Sequence, residues 1–172
     1  MLRMMREVAR LLGDMLFAGV ITDYALFGAV AQMRYTEAVA TMDADVLVAV
    51  PATGALEILS AMDEYCASRG YKIEGEAIWI GEWPAQFIPA LSPLTEEAMR
   101  EAQLCEVGGV PIRVVGAVHL GVIALSVGRP KDFARILALL ESGAVTLEQM
   151  ENVAERHGLS AALRRFRTKF LE

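Results

Sequence analysis

Asp43 and Asp45 are the carboxylates of this sequence best placed to act together, because only Ala44 separates them in the valine-rich run DADVLVAV. A strand puts alternate side chains on one face, so the two project together with Cα atoms roughly 6–7 Å apart. Two carboxylates so spaced can share a hard divalent cation. Magnesium (Mg2+) suits them, since it takes oxygen ligands, keeps several waters and binds through one or two carboxylates plus substrate phosphates. Upstream, Gly28-Ala29 closes a short apolar run and opens a helix. A helix N-terminus preceded by glycine offers free backbone N–H groups to phosphate oxygens. Downstream, Arg129 and Lys131 are candidate phosphate partners, Arg as a fork and Lys as a point charge. Both also read as ordinary surface residues at a helix start, and Asp132 as a carboxylate favoured there by the helix dipole. Asp43-x-Asp45 alone is a weak signal, also compatible with strand-end carboxylates that bind nothing.

The elements that must position these groups follow from periodicity. Leu2, Met5, Val8, Leu11, Leu12, Met15 and Leu16 recur at helical spacing, which predicts an amphipathic packing helix ending near Gly19. Residues 23–27 read as a strand passing at Gly28 into a helix of residues 29–35. Residues 43–50 read as a strand buried on both faces and stopped by Pro51. Thr53-Gly54 introduces a helix over 55–68, and short strands follow at 71–74, 76–80 and 84–88. Thr95 opens a short helix, and Gly108-Gly109 turns a hairpin of 104–107 with 110–114. Helices are predicted over 117–127, 130–141, 146–157 and 160–170, with Thr146 and Gln149 in capping-box spacing.

Phe27-Gly28-Ala29, a short helix, and then Asp43-Ala44-Asp45-Val46 after a gap of 13 residues together resemble the signature of the nucleotidyltransferase superfamily. Thr41 matches the T-x-D-x-D form of its bacterial toxin-type members. His119-Leu120 and Gly128-Arg129-Pro130-Lys131-Asp132 look like the later helix and R-x-K-D stretch of the AbiEii-like nucleotidyltransferases of toxin–antitoxin systems. The resemblance spans residues 24–140. It implies an α/β (α+β) fold with a mixed β-sheet flanked by helices and a helical C-terminal part, divided as a core of residues 1–115 and a helical region of 116–172. It also implies that a nucleoside triphosphate sits on Gly28, Ala29 and Thr41, with Asp43 and Asp45 as catalytic metal ligands, and that its nucleoside monophosphate passes to an unknown hydroxyl acceptor.

Two positions depart from the family pattern. Ala29 lacks the hydroxyl often found at the second position of the glycine motif. Gln86, in WPAQFI, stands where the family has a third carboxylate, and an amide cannot serve as general base. Glu82, four positions back on the same strand, and the nearby Glu74 and Glu76 are possible substitutes. Two function classes therefore stay open: an active transferase, and a catalytically degenerate binding module related to toxin–antitoxin pairs. A ligand-free structural domain is the third reading.

Composition narrows the remaining classes. The 172 residues are 55% hydrophobic, enough for one substantial core and a hint of a homo-oligomeric or other protein partner. A net charge of −6 disfavours a protein that mainly grips nucleic-acid backbone, although five basic residues from Arg156 onward face only Glu172. The longest strongly apolar stretch, residues 116–128, is too short to span a membrane and reads as a buried helix. Glu7, Arg10 and Asp14 interrupt the N-terminal apolar residues, so export is not expected and the location is read as cytoplasmic. Cys66 and Cys105 form no C-x-x-C spacing and read as reduced thiols. His119 and His157 stand apart from other soft ligands in the sequence and read as structural or surface residues.

Overall fold

A computed structural model of the chain describes residues 2–37, 41, 43–49, 51 and 55–172. Val50, expected to end the second strand, and Thr53-Gly54, expected to introduce a helix, lie outside the described residues. Among the described residues fifteen elements run in the order α1 (Leu2–Phe17), β1 (Asp23–Phe27), α2 (Gly28–Gln32), β2 (Ala44–Ala49), α3 (Ala55–Ser68), β3 (Lys72–Glu74), β4 (Ala77–Ile80), β5 (Trp83–Pro89), α4 (Pro93–Arg100), β6 (Gln103–Val107), β7 (Val110–Val114), α5 (Ala117–Val127), α6 (Pro130–Glu141), α7 (Leu147–Arg156) and α8 (Ser160–Phe170).

The strands form one mixed sheet in the order β3-β4-β5-β2-β1-β7-β6. β2 pairs antiparallel with β1 and parallel with β5, and β1 pairs parallel with β7. β1 and β2 are central, which is why their apolar runs are nearly continuous: Tyr24, Ala25 and Leu26, and Val46, Leu47 and Val48, are all buried. The amphipathic stripe of α1 is buried through Met5, Val8, Leu11, Leu12 and Met15, and this helix packs against β4, β6 and β7.

α5 is apolar on every side, and the fold surrounds it: α2, α4, α6, α7 and α8 all pack on it. Close approach to α7 is possible because α5 has a glycine at the contact. A Cβ at Gly121 would lie 3.2 Å from Cε of Met150. None of the described helices is long and apolar enough to cross a membrane.

Most starts fall within one residue of expectation, and two of the differences have a bearing on local structure. α4 begins at Pro93 rather than at Thr95, because Ser92 caps it: Thr95 N donates to Ser92 Oγ at 3.1 Å, and Ser92 N donates to Thr95 Oγ1 at 3.1 Å. β2 begins at Ala44, leaving Asp43 just outside the strand. The capping box of α7 forms as expected, with Gln149 N donating to Thr146 Oγ1 at 3.2 Å and Thr146 N to Gln149 Oε1 at 2.9 Å. Cys66 is buried, and burial pushes its thiol up to about 11, which makes it unreactive at neutral pH.

Candidate functional site

The register of the central strands brings the sequence-predicted residues to one place. Antiparallel pairing sets Phe27 opposite Asp45, and parallel pairing sets Gln86 beside Asp45 on its other flank. Paired residues share a sheet face, so Asp45 and Gln86 project side by side. After Phe27 the chain turns at Gly28 with φ +66° and enters α2 at once. A Cβ at Gly28 would overlap Oδ2 of Asp45. The carboxyl of Asp45 therefore rests on bare backbone at the start of α2, and only glycine leaves it that space.

Asp43 is held by Thr41. Thr41 Oγ1 lies 3.0 Å from the Asp43 carbonyl oxygen and 3.1 Å from its Oδ1, so the hydroxyl proton donates within the Asp43 residue itself. Thr41 thus orients a carboxylate rather than pointing away from the pair. Burial raises the pKa of Asp45, and the charge of Asp43 raises it further; Arg135, Lys131 and Arg129 pull it back down. A partly desolvated carboxyl with a second carboxylate charge beside it is a donor set that a divalent cation relieves, so Asp43 and Asp45 fit Mg2+.

The opposing charges come from α6. Arg129, half-exposed, donates through Nε to Asp132 Oδ2 at 2.7 Å and through Nη2 to Oδ1 at 3.2 Å, while its backbone N–H donates to Oδ2 at 3.1 Å. Asp132 is 1% exposed. Burial pushes its carboxyl up, but the hydrogen bonds from Arg129 outweigh that and hold it below the ordinary range. Asp132 is thus more than a residue favoured by the helix dipole: it caps α6 and fixes the Arg129 side chain.

Arg135, not singled out from the sequence, reaches across to α2, where its Nε donates to Oε1 of the buried Gln32 at 3.0 Å. Its Nη1 lies 3.6 Å from Asp132 Oδ1. The available signal was the four-residue spacing of Lys131 and Arg135, which puts both on one helix face.

None of the three carboxylates read as substitutes for the one missing at Gln86 stands next to it. Glu82 is exposed in the turn before β5 rather than on the strand. Glu74 lies in the same cross-sheet row as Gln86 and Asp45, but on the edge strand β3, about 14 Å from Asp45 at three strand spacings. It pairs there with Lys72 at 2.5 Å. Glu76 is exposed in the β3–β4 turn.

A second polar cluster corrects the reading of the histidines as isolated. His119 Nε2 lies 3.1 Å from Glu97 Oε1, His157 Nε2 lies 2.8 Å from Glu97 Oε2, and Arg156 Nη2 donates to Oε1 at 2.5 Å. Arg156 holds the Glu97 carboxyl down to about 2 against the upward push of burial, with help from both histidines. Because this pKa is depressed on folding, the carboxylate stabilises the fold above its unfolded value of 4.5, and that contribution is lost as pH falls from 4.5 toward 2. In urea melts from pH 6 to pH 2, the stability gap between the wild type and Glu97→Gln is expected to narrow across that window. A gap independent of pH would rule the carboxylate's charge out as its source.

No family model and no curated protein sequence matches this chain. Solved structures do match. The crystal structure of an antigenic nucleotidyltransferase-like protein from Paracoccidioides brasiliensis superposes with TM-score 0.58 at 14% identity, covering 95% of this chain and 92% of that one. The solution structure of the antibiotic-resistance factor ANT(2'')-Ia superposes with TM-score 0.57 at 15% identity, covering 98% and 97%. The chain therefore has a nucleotidyltransferase-like fold over its length.

Proposed function

We propose that this protein transfers a nucleoside monophosphate from a nucleoside triphosphate to a hydroxyl acceptor, with Asp43 and Asp45 holding Mg2+. The observation that carries this reading is the seating of the Asp45 carboxyl on Gly28, at the helix start that offers N–H groups to phosphate, with Arg129, Lys131 and Arg135 as counter-charges. Bound Mg2+ would neutralise phosphate charge and orient the triphosphate. The N–H groups at Gly28 and Ala29 bind phosphate oxygens, and Thr41 fixes Asp43. The acceptor oxygen attacks the α-phosphorus, the bond to the bridging oxygen breaks, and pyrophosphate leaves. Gln86 cannot accept the acceptor's proton, so that proton passes to water or to the substrate. Within this reading residues 1–115 carry the carboxylates and residues 116–172 supply the cations.

Calorimetric titration with Mg2+ and a panel of nucleoside triphosphates tests the site. Saturable heat with at least one of them is expected, and no heat with any would overturn the proposal.

Gln86 favours a second reading: a binding module that has lost transfer, related to the AbiEii-like members of toxin–antitoxin systems. One substitution separates the two. General-base assistance is worth about 10²–10⁴-fold, so Gln86→Asp is expected to raise transfer of radiolabelled nucleotide by at least about a hundredfold if only the base is missing. Nucleotide binding without incorporation in both wild type and Gln86→Asp would favour the module.

A further inference from the structure

We propose that Glu97, Glu101 and His119 form a binding site for a first-row transition-metal dication of the zinc type, separate from the Asp43–Asp45 pair. Glu97 and Glu101 stand one turn apart at the C-terminal end of α4, on one face, and His119 meets them from α5. Nε2 of His119 lies 3.1 Å from Glu97 Oε1 and 3.8 Å from Glu101 Oε2, and the three ligand atoms all fall within 4.8 Å of one another. Zinc–nitrogen and zinc–oxygen bonds near 2.1 Å at tetrahedral angles require donor separations of about 3.4 Å. The two measured separations bracket that value, so a cation needs only small side-chain shifts to enter.

The donor types select the ion. Magnesium and calcium prefer all-oxygen sets, whereas an imidazole with carboxylates suits zinc and its neighbours. His119 is 5% exposed on an otherwise apolar helix, and its polar edge points at the two carboxylates. His157 donates to the second oxygen of Glu97 and fixes the carboxylate's rotation, the part that outer partners play around metal ligands. Arg156 also holds Glu97, but its side chain is half-exposed, and a carboxylate oxygen has lone pairs for both a guanidinium and a cation. A cavity of about 440 Å³, with Glu101, His119, Gln149 and Asn152 in its wall, gives an entry path and room for water at the open coordination position. As a metal ligand His119 would be the neutral imidazole, its one ring proton on Nδ1 and the lone pair of Nε2 on the metal.

The test uses the full chain carrying Asp43→Asn and Asp45→Asn, so the other carboxylate pair cannot compete and nucleotide transfer is not the readout. Titration with Zn2+ by calorimetry, and with Co2+ by visible absorption, is expected to show about one ion per chain in nitrogen–oxygen coordination. Glu101 is half-exposed, so Glu101→Gln is expected to keep the metal-free melting temperature while weakening the ion at least about tenfold. His119→Gln is expected to weaken it as much or more. Absence of saturable Zn2+ and Co2+ binding, or binding that Glu101→Gln leaves unchanged, would overturn the proposal and leave the cluster as ion pairs alone.

Discussion

Asp43→Asn combined with Asp45→Asn is expected to reduce nucleotide transfer at least about a thousandfold while leaving the fold intact. Cation-based stabilisation of developing phosphate charge is worth several kcal/mol, and each 1.4 kcal/mol is a factor of ten in rate. The fold survives because neither side chain supplies core packing. Asp43 lies outside the strand, and asparagine keeps the acceptor oxygen toward which Thr41 donates. At Asp45 the exchange removes a charge that burial and Asp43 already disfavour, so melting temperature is expected to hold or rise. Incorporation of radiolabelled nucleotide into an acceptor pool, beside a thermal melt, gives both values. Wild-type incorporation by the double variant would refute the proposed role of the pair.

Gly28→Ala is expected to damage stability and ligand binding together. Its φ of +66° is a left-handed conformation that costs a side-chain-bearing residue roughly 1–2 kcal/mol. The new methyl would also occupy the place of Asp45 Oδ2, forcing the carboxyl to rotate off the start of α2. Both effects act at one point, so a loss of at least about 2 kcal/mol in denaturant unfolding is expected. Mg2+–nucleotide heat should vanish in the same variant at temperatures where it remains folded. By contrast, Gly13→Ala meets nothing within 4 Å at its new Cβ and serves as the control.

The elements were legible in the sequence wherever one local signal dominated. The limits of α3, α5, α6 and α8 follow from apolar periodicity bounded by Gly, Pro or Ser. β1 follows from a short apolar run stopped by the glycine that must turn sharply. The juxtaposition of Gly28 with Asp45 was legible as a motif, although its physical cause, a carboxyl occupying the place of a Cβ, is a tertiary fact. The start of α4 was missed because Ser92 and Thr95 form a reciprocal cap that does not use the usual Glu or Gln. Arg135 and Gln32 were missed because they meet only across 103 residues of chain. The same holds for Glu97, His119 and His157, which sit on three separate segments and have no spacing in common.

That long reach sets the order in which the site can come into being. The two carboxylates and the Gly28 turn lie within β1, α2 and the start of β2, early in the chain, whereas their counter-charges arrive on α6, itself one of the helices that enclose α5. During synthesis the sheet strands can pair while Asp43 and Asp45 still face no cation, and closing so long a loop is entropically costly and slow. The full charge balance around Asp45 is thus completed only when α6 docks, and a chain with a formed sheet but undocked α6 would carry the two carboxylates without their counter-charges.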